Sequence, residues 1–295
     1  MRALARAISM VEGRDPAVRE LEDELRKDGR TPGVAGFTGA PGTGKSTLVD
    51  AVIAHLRKEG SSVAVLATDP NSPFTGGAIL GDRIRMQRHA LDDKVFIRSM
   101  GARGHLGGLS LATREAIRLL GGFGFDQVIL ETVGVGQSEL EVAAVADTTV
   151  VVLTPNLGDS VQMIKAGILE IADIFVVNKA DLDGYARVVA ELRTMMNMAP
   201  KHGWRPPIIP TVASRQEGVD RLWDAVLQHR RHLEASGLAR ELTERRLRDE
   251  TAEVAAELAR ERARRALEED PGLAERLLSD GTPYRTAEEI LDRKG

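Results

Sequence analysis

The 295-residue chain contains no cysteine, so it can form neither a disulfide nor a thiolate metal site. It also lacks any apolar run approaching the roughly 18 residues of a membrane span. The formal net charge of −4 provides no positive field for nucleic acid or an anionic membrane. The first residues lack the apolar segment of a secretory signal. We therefore expect a cytoplasmic protein with no membrane and no nucleic-acid partner.

Apolar residues make up 42% of the chain, enough for a sizeable core. In the middle of the sequence they form short β-branched runs that alternate with helical patterns. This alternation is typical of an α/β fold with a mostly parallel central sheet covered by helices on both faces. The predicted strands are residues 33–38, 63–67, 95–97, 128–130, 150–153, 174–177 and 208–209.

The pattern divides the chain into three parts. Residues 1–32 show two helical stripes and predict an N-terminal helical lead-in, residues 33–228 form the α/β domain, and residues 229–295 form a charged helical arm. The arm has only a narrow apolar stripe, with Leu247, Val254 and Leu258 among Arg and Glu. Such a stripe suits helix pairing, so we favour dimerisation through the arm over a solvated helix lying on its own domain.

Residues 39–46 read Gly-Ala-Pro-Gly-Thr-Gly-Lys-Ser, a complete phosphate-binding loop between a predicted strand and a predicted helix at 47–58. The pattern indicates a nucleoside triphosphate site, because the backbone amides and the helix N-terminus both attract phosphate. Lys45 is expected to reach the β and γ phosphates, and Ser46 to bind Mg²⁺. The candidate nucleotide-binding residues here are Gly39, Ala40, Pro41, Gly42, Thr43, Gly44, Lys45, Ser46 and Thr47.

Residues 178–181, Asn-Lys-Ala-Asp, follow a predicted strand and indicate which base the nucleotide carries. The Asp181 carboxylate can accept hydrogen bonds from the ring N–H and exocyclic amine of guanine, a pair of donors that adenine does not present. Asn178 would brace the loop, and Lys179 would lie over the base plane. The Ala213 amide is expected to meet the guanine carbonyl, although Val212 replaces the serine usual before it. GTP and GDP are thus the expected ligands.

Hydrolysis of the γ-phosphoryl bond requires Mg²⁺, a positioned water and donors for the developing charge. The candidate carboxylates are Asp69, Asp82 and Glu131, which with Ser46 could surround a cation, whereas taken alone Asp69 could be a loop cap and Asp82 a surface residue. Glu131 opens a Glu-Thr-Val-Gly element, in which the Gly134 amide is placed to meet the γ-phosphate. We therefore assign Lys45, Asp69, Asp82 and Glu131 as catalytic residues. Gln137, three residues past Gly134, is left without a role, and Arg85 and Arg103 are candidate arginine fingers weighed against surface or structural roles.

Together these elements resemble the MeaB/ArgK family of P-loop GTPases. The resemblance rests on the phosphate-binding loop, the base-reading element and the segments 69–73, 79–86, 103–110 and 131–139, and it covers nearly the whole chain. The run Glu-Thr-Val-Gly-Val-Gly-Gln-Ser-Glu at 131–139 is the most specific, because it extends beyond what phosphate binding requires. One departure is Asn71, where the family commonly has serine.

The resemblance implies a homodimeric GTPase that docks on an adenosylcobalamin-dependent acyl-CoA mutase. GTP binding and hydrolysis would gate delivery of the cofactor and protect or reactivate the mutase. The resemblance also implies that the three candidate carboxylates form the metal and water-positioning set with Ser46. By the same resemblance, residues 157–165 are similar to a switch loop of the family, with Lys165 as its signalling charge and Asp159 as a partner.

Three other functions stay open. A GTP-dependent metallochaperone normally carries a Cys or His cluster, whereas this chain has no Cys and six scattered His. Of these, His229 and His232 could pair, but we expect them on a solvated helix face. An ATP-dependent kinase is disfavoured by the guanine-reading Asp181. A nucleotide sensor without turnover is disfavoured by Asp69 and Glu131.

Overall fold

In a computed structural model of the chain, the structure describes residues 1–15, 17–25, 31–69, 86–89, 91–101, 108–132, 138–155, 169–198, 203–280 and 282–292. They form two compact units, residues 1–240 and 241–295. The boundary expected between residues 228 and 229 falls inside a helix of the first unit. Among the described residues, no helix is both long and apolar enough to cross a membrane.

The first unit is built on a seven-stranded sheet in which every neighbouring pair is parallel. The spatial order is β3-β2-β4-β1-β5-β6-β7. Because β1 lies at the centre, the loop that follows it opens at the middle of one sheet edge. The strands are β1 Gly33–Thr38, β2 Val63–Asp69, β3 Val95–Gly101, β4 Gln127–Thr132, β5 Thr148–Leu153, β6 Ile174–Asn178 and β7 Ile208–Thr211.

Helices cover both faces of the sheet. Successive strand residues point to opposite faces, so Ala35 and Phe37 join one apolar cluster while Val34 joins another. The first face packs against α3 and α7, and the second against the other helices of the unit. These helices are α1 Arg2–Glu12, α2 Ala17–Leu25, α3 Lys45–Lys58, α4 Gly108–Gly122, α5 Ser138–Val145, α6 Tyr185–Met198 and α7 Val219–Ala235.

Shorter elements complete the unit: 3₁₀ turns at Gln87–His89 and Ala213–Arg215 and a helical turn at Leu169–Ile171. The predicted α/β architecture with its parallel sheet and two helical layers is therefore confirmed, as is the helical lead-in. In the lead-in, Leu4, Ile8 and Val11 are buried on the stripe that the sequence predicted.

Helix α5 lies unusually close to the central strand. A Cβ atom on Gly36 of β1 would come 2.3 Å from Val142 Cγ1 and 2.9 Å from Ala146 Cβ. The side chains of Val142 and Ala146 thus pack directly on the strand backbone at Gly36. Since α5 follows the Glu131 element, this contact fixes the far end of the segment that the sequence assigns to the γ-phosphate.

The second unit is helical. It comprises most of α8, Leu238–Glu269, together with α9, Pro271–Asp280, and α10, Pro283–Asp292. No residue of α8 is buried, and Leu247 and Leu258 are 56% and 45% exposed. The helical arm predicted from the sequence is present, and its apolar stripe is open within the described part of the chain.

Candidate functional site: a nucleotide-binding edge of the sheet

The phosphate-binding loop connects the carboxyl end of β1 to α3, as the sequence predicted. The helix begins at Lys45, two residues earlier than expected, which places its N-terminal amides in the loop itself. The Lys45 side chain is buried, and its Nζ donates to the carbonyl oxygens of Gly39 at 2.7 Å and Ala40 at 3.0 Å. The ammonium group is therefore held within the loop rather than extended into solvent.

Gly44 ends this loop in a conformation that requires glycine. Its φ of +88° is left-handed, and an added Cβ would lie 2.5 Å from the Asn178 Nδ2 atom. Asn178 is the last residue of β6, two strands away from β1 in the sheet. The glycine thus allows the base-reading element to approach the phosphate-binding loop.

Asn178 connects three segments of the site. Its Nδ2 donates to the Thr43 carbonyl oxygen at 2.9 Å. Its Oδ1 accepts from the Thr211 hydroxyl at 3.1 Å and from the Ala213 amide at 3.2 Å. The side chain is 2% exposed, so these bonds form in a site from which water is largely excluded. One side chain therefore fixes the phosphate-binding loop and the loops after β6 and β7 relative to one another.

The two remaining residues of the base-reading element lie at the rim. Lys179 has a left-handed φ of 56°, and its Nζ donates to the Gly42 carbonyl oxygen at 3.0 Å. The Asp181 side chain is 34% exposed and accepts a hydrogen bond from Arg215 Nη2 at 3.1 Å. The sequence singled out Asp181 but not Arg215, because the pair is formed only when the loops after β6 and β7 meet.

Ala213 occupies a position beside this element, but its amide already donates to Asn178. A guanine carbonyl at this amide would have to share it or displace the asparagine oxygen. The expected contact between Ala213 and the base stays a prediction.

Ser46 and Glu131 are brought together beside the loop. Glu131 lies on β4 opposite Phe37 of β1, and Ser46 Oγ donates to Glu131 Oε1 at 2.5 Å. Both side chains are buried. Behind them, Thr132 Oγ1 donates to Thr38 Oγ1 at 3.1 Å in the core of the sheet. The hydroxyl and carboxylate predicted to serve the same metal are therefore adjacent.

The oxygen atoms of Ser46 and Glu131 fit Mg²⁺, which prefers hydroxyl, carboxylate and water ligands. Asp69 ends β2 two residues beyond Ala67, which pairs with Glu131, so its backbone lies at the same sheet edge. The Asp69 side chain is not among the described atoms. Asp82 and Gly134 lie outside the described residues, as do Gln137, Arg85, Arg103, Asp159 and Lys165.

His229 differs from its predicted place on a solvated helix face. It is 3% exposed, with Nδ1 3.0 Å from Thr148 Oγ1, Nε2 3.4 Å from Asp173 Oδ1, and its ring 4.9 Å from that of Trp204. Burial, and secondarily the neighbouring His232, lower the pKa of His229 to about 4. It lies near the amino ends of the strands, opposite the nucleotide site. The prediction was wrong because the many charged residues around His229 in the sequence obscure the periodic pattern of buried residues in α7, to which His229 belongs.

Known proteins resemble this chain over most of its length. The family model described as methylmalonyl-CoA mutase-associated GTPase MeaB matches residues 4–271. GTPase ArgK of Escherichia coli is 41% identical over 79% of this chain and 73% of its own. A "probable GTPase" of Mycobacterium tuberculosis is 45% identical over 80% and 73% of the two chains.

Among solved structures, that of an LAO/AO transport system kinase superposes with a TM-score of 0.68 and 29% identity. It covers 98% of this chain and 91% of the other. The similarity therefore includes the fold as well as the sequence motifs, and the resemblance found in the sequence is confirmed. The chain belongs to the MeaB family of methylmalonyl-CoA mutase-associated GTPases, and it is a P-loop GTPase.

Proposed function

We propose that this GTPase is the chaperone of an adenosylcobalamin-dependent acyl-CoA mutase of the methylmalonyl-CoA mutase type. GTP binding and hydrolysis would gate cofactor delivery and protect or reactivate the mutase. The family match over residues 4–271 supports the partner. The observation that carries the nucleotide chemistry is Asn178, which joins the phosphate-binding loop to both candidate base-reading loops.

GTP would bind along the sheet edge described above. The loop from Gly39 to Thr47 would receive the phosphates on its amides, and Lys45 would exchange carbonyl oxygens for phosphate oxygens. Asp181 would accept from guanine, with Lys179 lying over the base plane and Asn178 and Ala213 completing the base site. This assignment favours guanine because adenine lacks the two donors that the carboxylate requires.

Hydrolysis would take place at the end of the loop nearest β4. Ser46 and Glu131, with Asp69 and Asp82, would hold Mg²⁺, which when bound supplies positive charge to the β and γ phosphate oxygens. Glu131 would orient either the attacking water or a neighbouring water bound to Mg²⁺. The Gly134 amide would donate a hydrogen bond to the γ-phosphate. The bonded and buried pair of Ser46 and Glu131 supports this placement.

We further propose that the chain is a homodimer paired through its helical arm. Helix α8 has no buried residue over its 32 residues, although it carries Leu247 and Leu258 on one side. A groove of about 330 Å³ follows the same helix, and its lining combines Leu258 and Ala266 with charged residues of both signs. A mixed apolar and charged lining suits a partner helix of the same composition.

The test is GTP hydrolysis by the full chain with Mg²⁺, measured alone and with purified adenosylcobalamin-dependent mutases that differ in acyl-CoA preference. ATP serves as the control nucleotide. We expect GTP-selective turnover that one mutase stimulates, and GTP-dependent transfer of adenosylcobalamin to that same mutase.

Turnover of GTP that no mutase changes, combined with no effect on cofactor loading, would reject the mutase role. The metallochaperone and sensor functions would then be tested next. Hydrolysis of ATP as fast as GTP would instead reject the assignment of guanine as the base and favour the ATP-dependent kinase hypothesis.

A further inference from the structure

Arg215 is bonded to the candidate base-reading carboxylate. Its Nη2 donates to Asp181 Oδ2 at 3.1 Å, while Nη1 lies 3.9 Å from Glu217 Oε1. We propose that Arg215 is a positioning residue for guanine recognition: it fixes the Asp181 carboxylate so that both donors of the base can bond at once. The inference rests on the proposed role of Asp181 in reading guanine.

Asp181 needs such a partner because it is partly open to water. Its side chain is 34% exposed, and it lies in the turn after β6 rather than on the strand. Within the described part of the chain, Arg215 is its one ion-pair or hydrogen-bond partner. A carboxylate free to rotate would lose conformational entropy on binding the base, and a fixed one avoids most of that loss.

The backbone that carries Arg215 is itself held in place. Arg215 ends the 3₁₀ turn Ala213–Arg215, and its amide donates to the Val212 carbonyl oxygen at 2.9 Å. The Val212 amide in turn donates to the backbone carbonyl oxygen of Glu217 at 3.1 Å, and Gln216 has a left-handed φ of 59°. Through Ala213 the same turn is bonded to Asn178. The backbone that carries Arg215 is therefore attached to the framework that also holds the phosphate-binding loop.

The geometry favours positioning over competition with the base. A carboxylate offers two oxygens with about four acceptor directions. Guanine requires two of them, and Arg215 occupies one on Oδ2. Both partners can therefore bond to Asp181 together, and the charge-assisted bond from Arg215 restricts the rotation of the carboxylate.

The test compares the affinities of GDP, inosine diphosphate and ADP for the full-length chain and for Arg215→Met, which keeps most of the stem without the charge. Inosine lacks the exocyclic amine and therefore makes one bond fewer to the carboxylate. We expect Arg215→Met to weaken GDP by about three- to fivefold, while the affinity for inosine diphosphate changes by less than about twofold. The ratio between the two nucleotides should fall accordingly.

Three further variants serve as controls. Arg187→Met removes an exposed arginine that is bonded to Glu191 at 2.8 Å and not to Asp181, and it should leave every affinity unchanged. In an Asp181→Ala background, Arg215→Met should have no further effect, because no carboxylate remains to be positioned. Arg215→Lys should recover part of the lost selectivity.

Equal weakening of GDP and inosine diphosphate, or an effect that persists in the Asp181→Ala background, would mean that Arg215 only supports the loop, and would overturn the inference. Unchanged or tighter GDP binding would overturn it too. The base assignment has its own check: Asp181→Asn should weaken GDP about 10- to 100-fold and favour a xanthine nucleotide. If it does not, the reading of guanine by Asp181 fails, and the inference fails with it.

Discussion

Glu131 is a buried carboxylate whose Oε1 atom lies 2.5 Å from the Ser46 hydroxyl. A group bonded to a candidate metal ligand beside the phosphate-binding loop is placed to act on the transferred phosphoryl group rather than on the base. We expect Glu131→Ala to lower GTP turnover by at least about 100-fold while GTP affinity changes by less than about tenfold. Single-turnover hydrolysis and equilibrium titration with a non-hydrolysable GTP analogue would measure the two quantities separately.

Glu170→Ala is a suitable control, because Glu170 is an exposed carboxylate in the helical turn before β6. It should leave both turnover and affinity unchanged. If Glu131→Ala retains wild-type turnover, the assignment of Glu131 to hydrolysis is wrong.

His229 gives the first unit a dependence on pH. Burial lowers its pKa to about 4 from the ordinary 6.5, so the folded state favours the neutral ring. The unfolded chain takes up the proton first as pH falls, and the stability due to the neutral ring is lost between about pH 6.5 and pH 4. We expect this loss to be about 2 kcal/mol, after allowance for residual hydration.

Unfolding by urea at pH 7 and pH 4.5 would measure this loss. His229→Gln should be less stable at neutral pH, because it alters the contacts with Thr148 and Trp204. Its stability should nevertheless fall less between the two pH values than that of the wild type. An equal fall in both chains would show that His229 does not determine the acid sensitivity.

The placement of candidate site residues within one continuous motif could be predicted from the sequence, as Lys45, Ser46 and Asn178 illustrate. Their spacing along the chain already specifies the phosphate-binding loop and the base-reading element. Arg215 could not be predicted, because its partner Asp181 is 34 positions away and meets it only across two loops. The burial of His229 was missed for a similar reason: Trp204, which covers it, comes from the segment before β7.

At the scale of secondary structure, the contact between β1 and α5 depends on Gly36. An added methyl group would lie 2.3 Å from Val142 Cγ1, so the helix would have to move away from the strand. We expect Gly36→Ala to destabilise the fold by about 1–3 kcal/mol, the usual cost of overpacking. Denaturant unfolding followed by circular dichroism would measure this change.

The double variant Gly36→Ala with Val142→Ala removes the atom that the new methyl group meets. It should be more stable than the sum of the two single effects predicts. Strict additivity would mean that the backbone relaxes around Gly36 without involving α5.

The elements themselves were largely predictable. All seven strands lie at the β-branched runs that predicted them. Such runs are reliable here because strands buried on both faces of a parallel sheet have continuous apolar sequences. The ends were less accurate: α3 begins at Lys45 rather than Thr47, and α7 continues beyond Gln228 to Ala235. In α7 the buried Leu233 continues the apolar face that packs on the sheet. That face was not evident from the sequence, because this part of the chain is rich in Arg and His.

At the scale of the whole molecule, the arm determines the expected oligomeric state. Residues 1–240 form a compact unit without it, and α8 leaves Leu247 and Leu258 exposed. We expect the full chain to sediment as a dimer and a chain ending at Arg240 to sediment as a folded monomer. Analytical ultracentrifugation gives the mass, and circular dichroism confirms that the shortened chain is folded.

The full-length variant Leu247→Glu with Leu258→Glu tests the same stripe without removing any residue. Like charges introduced on an apolar seam should dissociate the dimer. A shortened chain that remains dimeric would place the interface on the first unit instead.

The central position of β1 has a consequence for how the protein is made. Its neighbours β4 and β5 start at Gln127 and Thr148, about a hundred residues later in the chain. As the ribosome emits the polypeptide from the N-terminus, β1 is synthesised long before either neighbour can pair with it. The asparagine that braces the phosphate-binding loop is made later still. A nascent chain stalled before β6 would therefore carry the complete phosphate-binding motif without the asparagine that braces it. We expect firm nucleotide binding only after β6 and β7 have been synthesised.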